Sequence, residues 1–142
     1  MLSRLTEDSF KPLRAVSRRG RFAEETNFEL YDDEGLLLVV KVFKGRPPHY
    51  GPWAEAFSIS PRAHEKWLRE VLCVLYRYME PGDVLYVEYV DDPDTFVKLQ
   101  RGDPPEETRI GKLLVECGFK IVKNWYHPEG GLEGGMKLQA TK

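Results

Sequence analysis

Amides are scarce in this sequence. Asn27, Asn124, Gln100 and Gln139 are its only Asn and Gln residues, against 31% charged side chains. Few amides beside many charges is a tendency of thermophile proteins. Cysteine is rarer still. Cys73 and Cys117 have no CxxC partner and no ligand-spaced histidine. This excludes a disulfide-dense mini-scaffold. Both cysteines fall on apolar helix faces and are expected to be reduced core residues, not metal or redox groups. No apolar run approaches the roughly 18 residues of a membrane span; the longest, residues 36–40, is strand-sized. The opening MLSRLTEDSF carries Arg4, Glu7 and Asp8 and no apolar signal core. A soluble cytoplasmic protein is expected. No P-loop, GxGxxG or GxSxG occurs. His49, His64 and His127 show no HxxxH spacing, so no zinc site is expected.

What is present suits a folded domain. The chain has 142 residues, 42% of them hydrophobic, which fits one core of common size. Net charge is -2, so no global basic field recruits nucleic acid. The charge is nevertheless blocked. Residues 1–22 carry six basic and two acidic side chains, residues 23–35 six acidic and none basic, and residues 80–107 nine acidic and two basic. The basic start, with Arg14, Arg18, Arg19 and Arg21, reads as a solvated arm beside the acidic block that follows; contact with RNA or an acidic partner is the other reading.

Periodicity predicts strands over 26–31 and 36–43, joined by the turn Asp-Asp-Glu-Gly, and a third over 54–59. Residues 45–53 (GRPPHYGPW) form a rigid loop, since three prolines and two glycines break any ladder. Ser60 as N-cap and Pro61 at the first helical position open a helix to about Met79. Its stripe is Trp67, Leu68, Val71, Leu72, Leu75, Tyr78 and Met79. Residues 83–90 (DVLYVEYV) form the strongest strand and belong in the sheet centre. One helical turn is expected over 95–99. Pro104-Pro105 opens a second helix, with Glu106 and Glu107 favouring its dipole. Gly118 ends that helix. Strands follow over 119–126 and 136–140, flanking a glycine-rich turn. The order β-β-β-α-β-α-β-β implies an α/β fold, a mixed sheet with helices packed on it.

That order resembles the central and C-terminal part of the GNAT superfamily of N-acetyltransferases. Residues 108–126 (TRIGKLLVECGFKIVKNWY) resemble the GNAT helix-then-strand segment with its Gly-Phe pair. Together with NWYHPEGGLEGGMKLQ they resemble a small uncharacterised archaeal and bacterial family of GNAT-like fold. The resemblance spans roughly residues 83–140. It implies a largely antiparallel mixed sheet in a single GNAT-like domain. It also implies acyl transfer from acyl-coenzyme A to an amine: a base takes the ammonium proton, the amine attacks the thioester, and an acid protonates the leaving thiolate. GNAT enzymes place an Arg/Gln-x-x-Gly-x-Gly/Ala turn before the long central helix, where backbone N–H groups hold the pyrophosphate. Residues 58–64 (SISPRAH) contain no glycine, and Pro61 removes one donor. Ser60 and Arg62 are the residues left near such an anion.

Site candidates follow from residue chemistry. In the EGGLEGG run, Glu129 and Glu133 suit an amine, a cation or proton transfer better than phosphate; a bulged turn with solvated glutamates is the alternative. His127 and Trp125 flank the run as substrate-binding candidates, and Tyr126 is the candidate acid. Glu88 sits on a strand apolar on both faces. It is either solvated at the strand end, paired with an arginine such as Arg109, or a site residue with a raised pKa. Arg109 is a fork for a carboxylate or phosphate, or a structural ion-pair partner. Asp91, Asp92 and Asp94 read as a solvated acidic loop, with no metal expected. Glu88, Arg109 and the EGG run are expected to share one pocket. The second reading is a non-catalytic GNAT-like module for ligand or protein binding. In it Tyr50, Trp53, Trp125 and Tyr126 line a pocket or the seam of a homodimer.

Overall fold

The computed structural model describes residues 1–45, 51–126 and 135–142. Strand β2 (Glu25–Asp32) and strand β3 (Gly35–Phe43) form the expected hairpin. Asp32 closes its turn by accepting the Glu34 and Gly35 amides at 2.9 and 3.1 Å. Before them lies a strand that the sequence pattern did not show, β1 (Arg14–Arg19), antiparallel to β2. The basic N-terminus is therefore not a solvated arm. Leu2, Leu5, Phe10 and Leu13 are buried in the core, and the Phe10 ring packs on Phe28 at 5.3 Å. The arginines of β1 do lie beside the acidic block: Arg18 pairs with Glu29, and Arg14 sits over the Tyr31 ring.

Strand β4 (Trp53–Phe57) adds to β3 antiparallel. A π-helical turn at Ala63–Trp67 leads into helix α1 (Leu68–Tyr78), and the chain returns as β5 (Val84–Glu88), parallel to β4. Parallel neighbours need such a crossover, and α1 supplies it. Helix α2 (Pro93–Gln100) is longer than the single turn expected. Helix α3 (Arg109–Cys117) is capped by Thr108, whose side chain accepts the Gly111 amide at 3.0 Å. Gly111 has no room for a side chain: a Cβ there would meet the Pro105 carbonyl oxygen at 1.8 Å. Gly118 ends α3 in the left-handed region, φ 107°. Strands β6 (Lys120–Tyr126) and β7 (Met136–Thr141) complete a seven-stranded sheet of order β1-β2-β3-β4-β5-β7-β6. It is mixed and largely antiparallel, with β4–β5 its parallel pair.

Alternation divides the sheet. Val40, Ala54, Ala56, Leu85, Val87, Leu138 and Ala140 are buried on the face that α1 and α3 cover. The opposite face carries Lys41, Phe43, Trp53, Glu55, Tyr86, Trp125 and Lys137, and among the described residues no helix packs on it.

The cysteines correct the sequence expectation. Cys73 on α1 and Cys117 on α3 form a disulfide, with Cα atoms 4.9 Å apart. The sequence shows two apolar stripes but not that they pack with these positions opposed. Closing 44 residues of chain, the link restricts the unfolded state by about 4 kcal/mol in the chain-entropy account. Reduction should lower unfolding free energy by up to that amount. A thiol reagent should find no free sulfur in the denatured, unreduced protein; a full titre of two would disprove the link. Phe119 is 4% exposed and meets the Tyr76 ring edge-on at 5.0 Å. Phe119→Ala should cost about 3–5 kcal/mol in denaturant melts. A loss below about 1 kcal/mol would contradict its place in the core.

Candidate functional site

The parallel ladder between β4 and β5 stops at Ala56–Val87. Beyond it the Ser58 amide donates to the Glu88 carboxylate at 3.3 Å. Ser58 sits at φ 50°, a region that non-glycine residues seldom occupy. A strained residue at the carboxyl end of a parallel pair is the kind of feature that accompanies a site.

The two strand ends open onto a cleft of about 870 Å³ on the helix-free face, lined by Trp53, Glu55, Phe57, Glu88, Asp91 and Lys137 among others. Glu88 and Lys137 are directly opposed in the β5–β7 register. The Lys137 ammonium nevertheless goes to Glu55, at 2.7 Å, with both side chains about one-tenth exposed. Each of these buried charges is costly alone, and pairing offsets that cost. It leaves Glu88 with one backbone amide and, among the described residues, no ion pair. Burial pushes the Glu88 carboxyl up from its ordinary value; the Ser58 amide works against this, Glu55 and Asp91 add to it, and Lys137 offsets part of it. Burial also raises the Tyr86 phenol, with a further push from Glu55.

An aromatic row crosses the same face. Phe43 stacks on Trp53 at 5.5 Å, Trp53 meets Tyr86 at 6.0 Å, and Tyr86 meets Trp125 at 5.7 Å. Lys137 lies 5.9 Å from the Tyr86 centroid and 5.4 Å from that of Trp125. Glu55, Lys137 and Ser58 were not singled out from the sequence. The available signal was Trp-Ala-Glu-Ala-Phe, where period two sets one carboxylate among aromatics on a single face.

The other sequence candidates are dispersed. Arg109 pairs neither with Glu88 nor with Glu106, which lies in the short turn before α3. Its guanidinium pairs with the buried Asp92 at 3.1 Å and lines a separate depression with Lys98 and Lys112 on the helix side. The reason is local. Asp92 immediately precedes α2 and accepts from the Thr95 hydroxyl, while Thr95 and Asp94 accept the first amides of α3, which brings Arg109 onto Asp92. Tyr126 pairs with Met136 in register and points to the helix side, away from Glu88; Trp125 points to the open face. Glu129, Glu133 and His127 lie outside the described residues. Among the described residues no cluster of metal-ligating side chains occurs, and no helix is long and apolar enough to cross a membrane.

The start of the crossover helix does not fit a pyrophosphate. Pro61 has no N–H, and the Ala63 and His64 amides donate to the Ser60 carbonyl at 3.0 and 3.2 Å. Arg62 is held by Asp32 at 3.1 Å and Glu34 at 3.0 Å. Its hydrogen bond keeps the Asp32 carboxyl below the usual range. Ser60 and Arg62 are thus engaged within the fold.

A family model described as Protein of unknown function (DUF1122) matches residues 8–142. No curated protein matches the sequence. Among solved structures, a protein of unknown function from Aquifex aeolicus is 37% identical, with a TM-score of 0.77 over 92% of this chain and 70% of that one. A mutant of the spermidine N-acetyltransferase SpeG from Vibrio cholerae is 16% identical, with a TM-score of 0.47 over 84% of this chain and 66% of that one. The GNAT domain of S. lividans PAT is 10% identical, with a TM-score of 0.39 over 84% of this chain and 62% of that one. The mixed, largely antiparallel sheet with helices packed on it that was anticipated from the sequence is the one observed.

His64, in the π-helical turn, is buried, and its Nε2 has no hydrogen-bond partner. Burial lowers its pKa from 6.5; Asp92 and Asp91 oppose this and Arg109 assists it. Between the lowered value and 6.5 the unfolded chain binds more protons, so stability is full above 6.5 and falls as pH drops through that window. His64→Gln should flatten this part of a stability–pH curve measured by denaturant melts. An unchanged slope would show that the imidazole is not its source.

Proposed function

The chain belongs to the family described as Protein of unknown function (DUF1122), and from that premise we propose that it binds an amine-bearing cation in the cleft at the ends of β4 and β5. One observation carries the reading: Lys137 neutralises Glu55, and the half-buried Glu88 carboxylate faces the cleft with no ion pair among the described residues, although Arg21 and Lys41 also line that cleft. An ammonium group supplies the missing charge. Asp91 adds a second carboxylate, and Trp53 and Phe57 supply the apolar and cation–π surface that a protonated amine prefers.

Acyl transfer to that amine is the second reading. The raised Glu88 pKa favours it, because a carboxylate lifted toward neutrality is a better acceptor for an ammonium proton. The residues at the start of α1 do not supply the usual hold on a coenzyme A pyrophosphate, so amine recognition is the better supported part.

Calorimetry with the diamine putrescine tests the first reading. Saturable binding is expected, with Glu88→Gln weakening it at least tenfold. The same substitution should raise stability at neutral pH. A folded pKa above 4.5 means that Glu88 favours folding below that value and that the contribution is lost as pH rises through the raised one. No saturable binding at millimolar putrescine, or equal binding by the variant, would overturn the reading. Acetyl-coenzyme A in the same cell tests the second: binding supports transfer, and no binding leaves a binding module.

A further inference from the structure

Glu88 and Tyr89 are consecutive, and they point to opposite sides of the sheet. Tyr89 continues the ladder, its amide donating to the Met136 carbonyl at 3.0 Å. Its ring enters a second cavity, of about 320 Å³, between α2 and the β6–β7 strands. This cavity is separate from the amine cleft and has a different chemistry.

Among the described residues no charged side chain lines it, in a chain where charged residues make up 31%. Asn124 and Gln100 do line it, two of the four amide side chains in the whole sequence. The Asn124 amide is oriented. Its Oδ1 accepts the Tyr89 hydroxyl at 2.8 Å, and Tyr89 is 3% exposed, so the acceptor end is spent and the Nδ2 donor remains. Gln100 makes no side-chain hydrogen bond among the described residues and offers both a donor and an acceptor. Phe96 and Tyr126 bring aromatic rings and Met136 a polarizable thioether.

We propose that this cavity binds a neutral nitrogen heteroaromatic ring of the purine class. A ring nitrogen accepts from Asn124 Nδ2, an adjacent donor–acceptor edge meets Gln100, and the ring face packs on Phe96 or Tyr126. Side-chain amides are matched to such edges because they carry a donor and an acceptor side by side. The volume is at the lower end of ligand cavities, roughly 300–1,000 Å³, which suits one bicyclic ring. Among the described residues the lining offers no cation to neutralise a phosphate, so the proposal is that the base is read and any phosphate is not.

Adenine is the probe, titrated into the full chain by calorimetry, with adenosine monophosphate as the charged comparison. Adenine should bind saturably and the monophosphate no more tightly. Asn124→Asp keeps an acceptor for Tyr89 but removes the donor, so it should weaken adenine at least tenfold with its melting temperature close to that of the parent. Gln100→Ala, at a side chain with no internal partner, should weaken adenine in the same sense. Glu88→Gln should leave adenine affinity unchanged, which makes this site's failure distinguishable from that of the amine cleft. Absence of saturable binding at millimolar adenine would overturn the proposal. So would full binding by both amide variants, loss of binding in Glu88→Gln, or preference for the monophosphate.

Discussion

The parallel pairing of β4 with β5 is the constraint from which the other features follow. Two strands running the same way cannot be joined by a tight turn, so α1 must cross over one face. The buried Ala54, Ala56, Leu85 and Val87 are what that helix covers. The pair also ends together, and past Ala56–Val87 there is no ladder to satisfy the Ser58 amide. Glu88 takes that amide with its side chain, which holds a carboxylate at the mouth of a cleft.

On the uncovered face the distribution of charge matters more than its amount. Lys137 has Glu88 opposite it in register and Glu55 one strand further away, and it takes Glu55. A buried ion pair contributes little to net stability, since desolvating both partners offsets most of their attraction. What this pairing accomplishes is selection. One carboxylate is neutralised and the other is left with a raised pKa.

The hairpin of β2 and β3, the crossover, Gly118 and the central strand were legible in the sequence, because each rests on a local cause: a turn residue, a cap, a period. β1 was not, since Arg14, Arg18 and Arg19 look like a solvated run until β2 is beside them. The disulfide and the Arg109–Asp92 pair depend on how helices pack, which no spacing encodes. For the site, Glu88 was visible as a carboxylate out of place on an apolar strand. Its isolation was not, because that follows from which of two carboxylates Lys137 chooses across strands distant in sequence. Tyr126, the candidate acid beside the EGG run, lies on the opposite side of the sheet from Glu88, because alternation along β6 sends it there.

The two outer strands carry a further consequence. A sheet border presents unpaired backbone groups that another strand can extend. On β1 that border displays Arg14, Arg18 and Arg19, and on β6 it displays Lys120 and Lys123, all exposed. Among the described residues, only Arg18 of the three arginines is neutralised by a carboxylate within hydrogen-bonding distance, that of Glu29. Two copies meeting border to border, in any combination, would set cation against cation. Lateral growth of the sheet into a ribbon of molecules is thereby opposed at both rims by charge of the same sign.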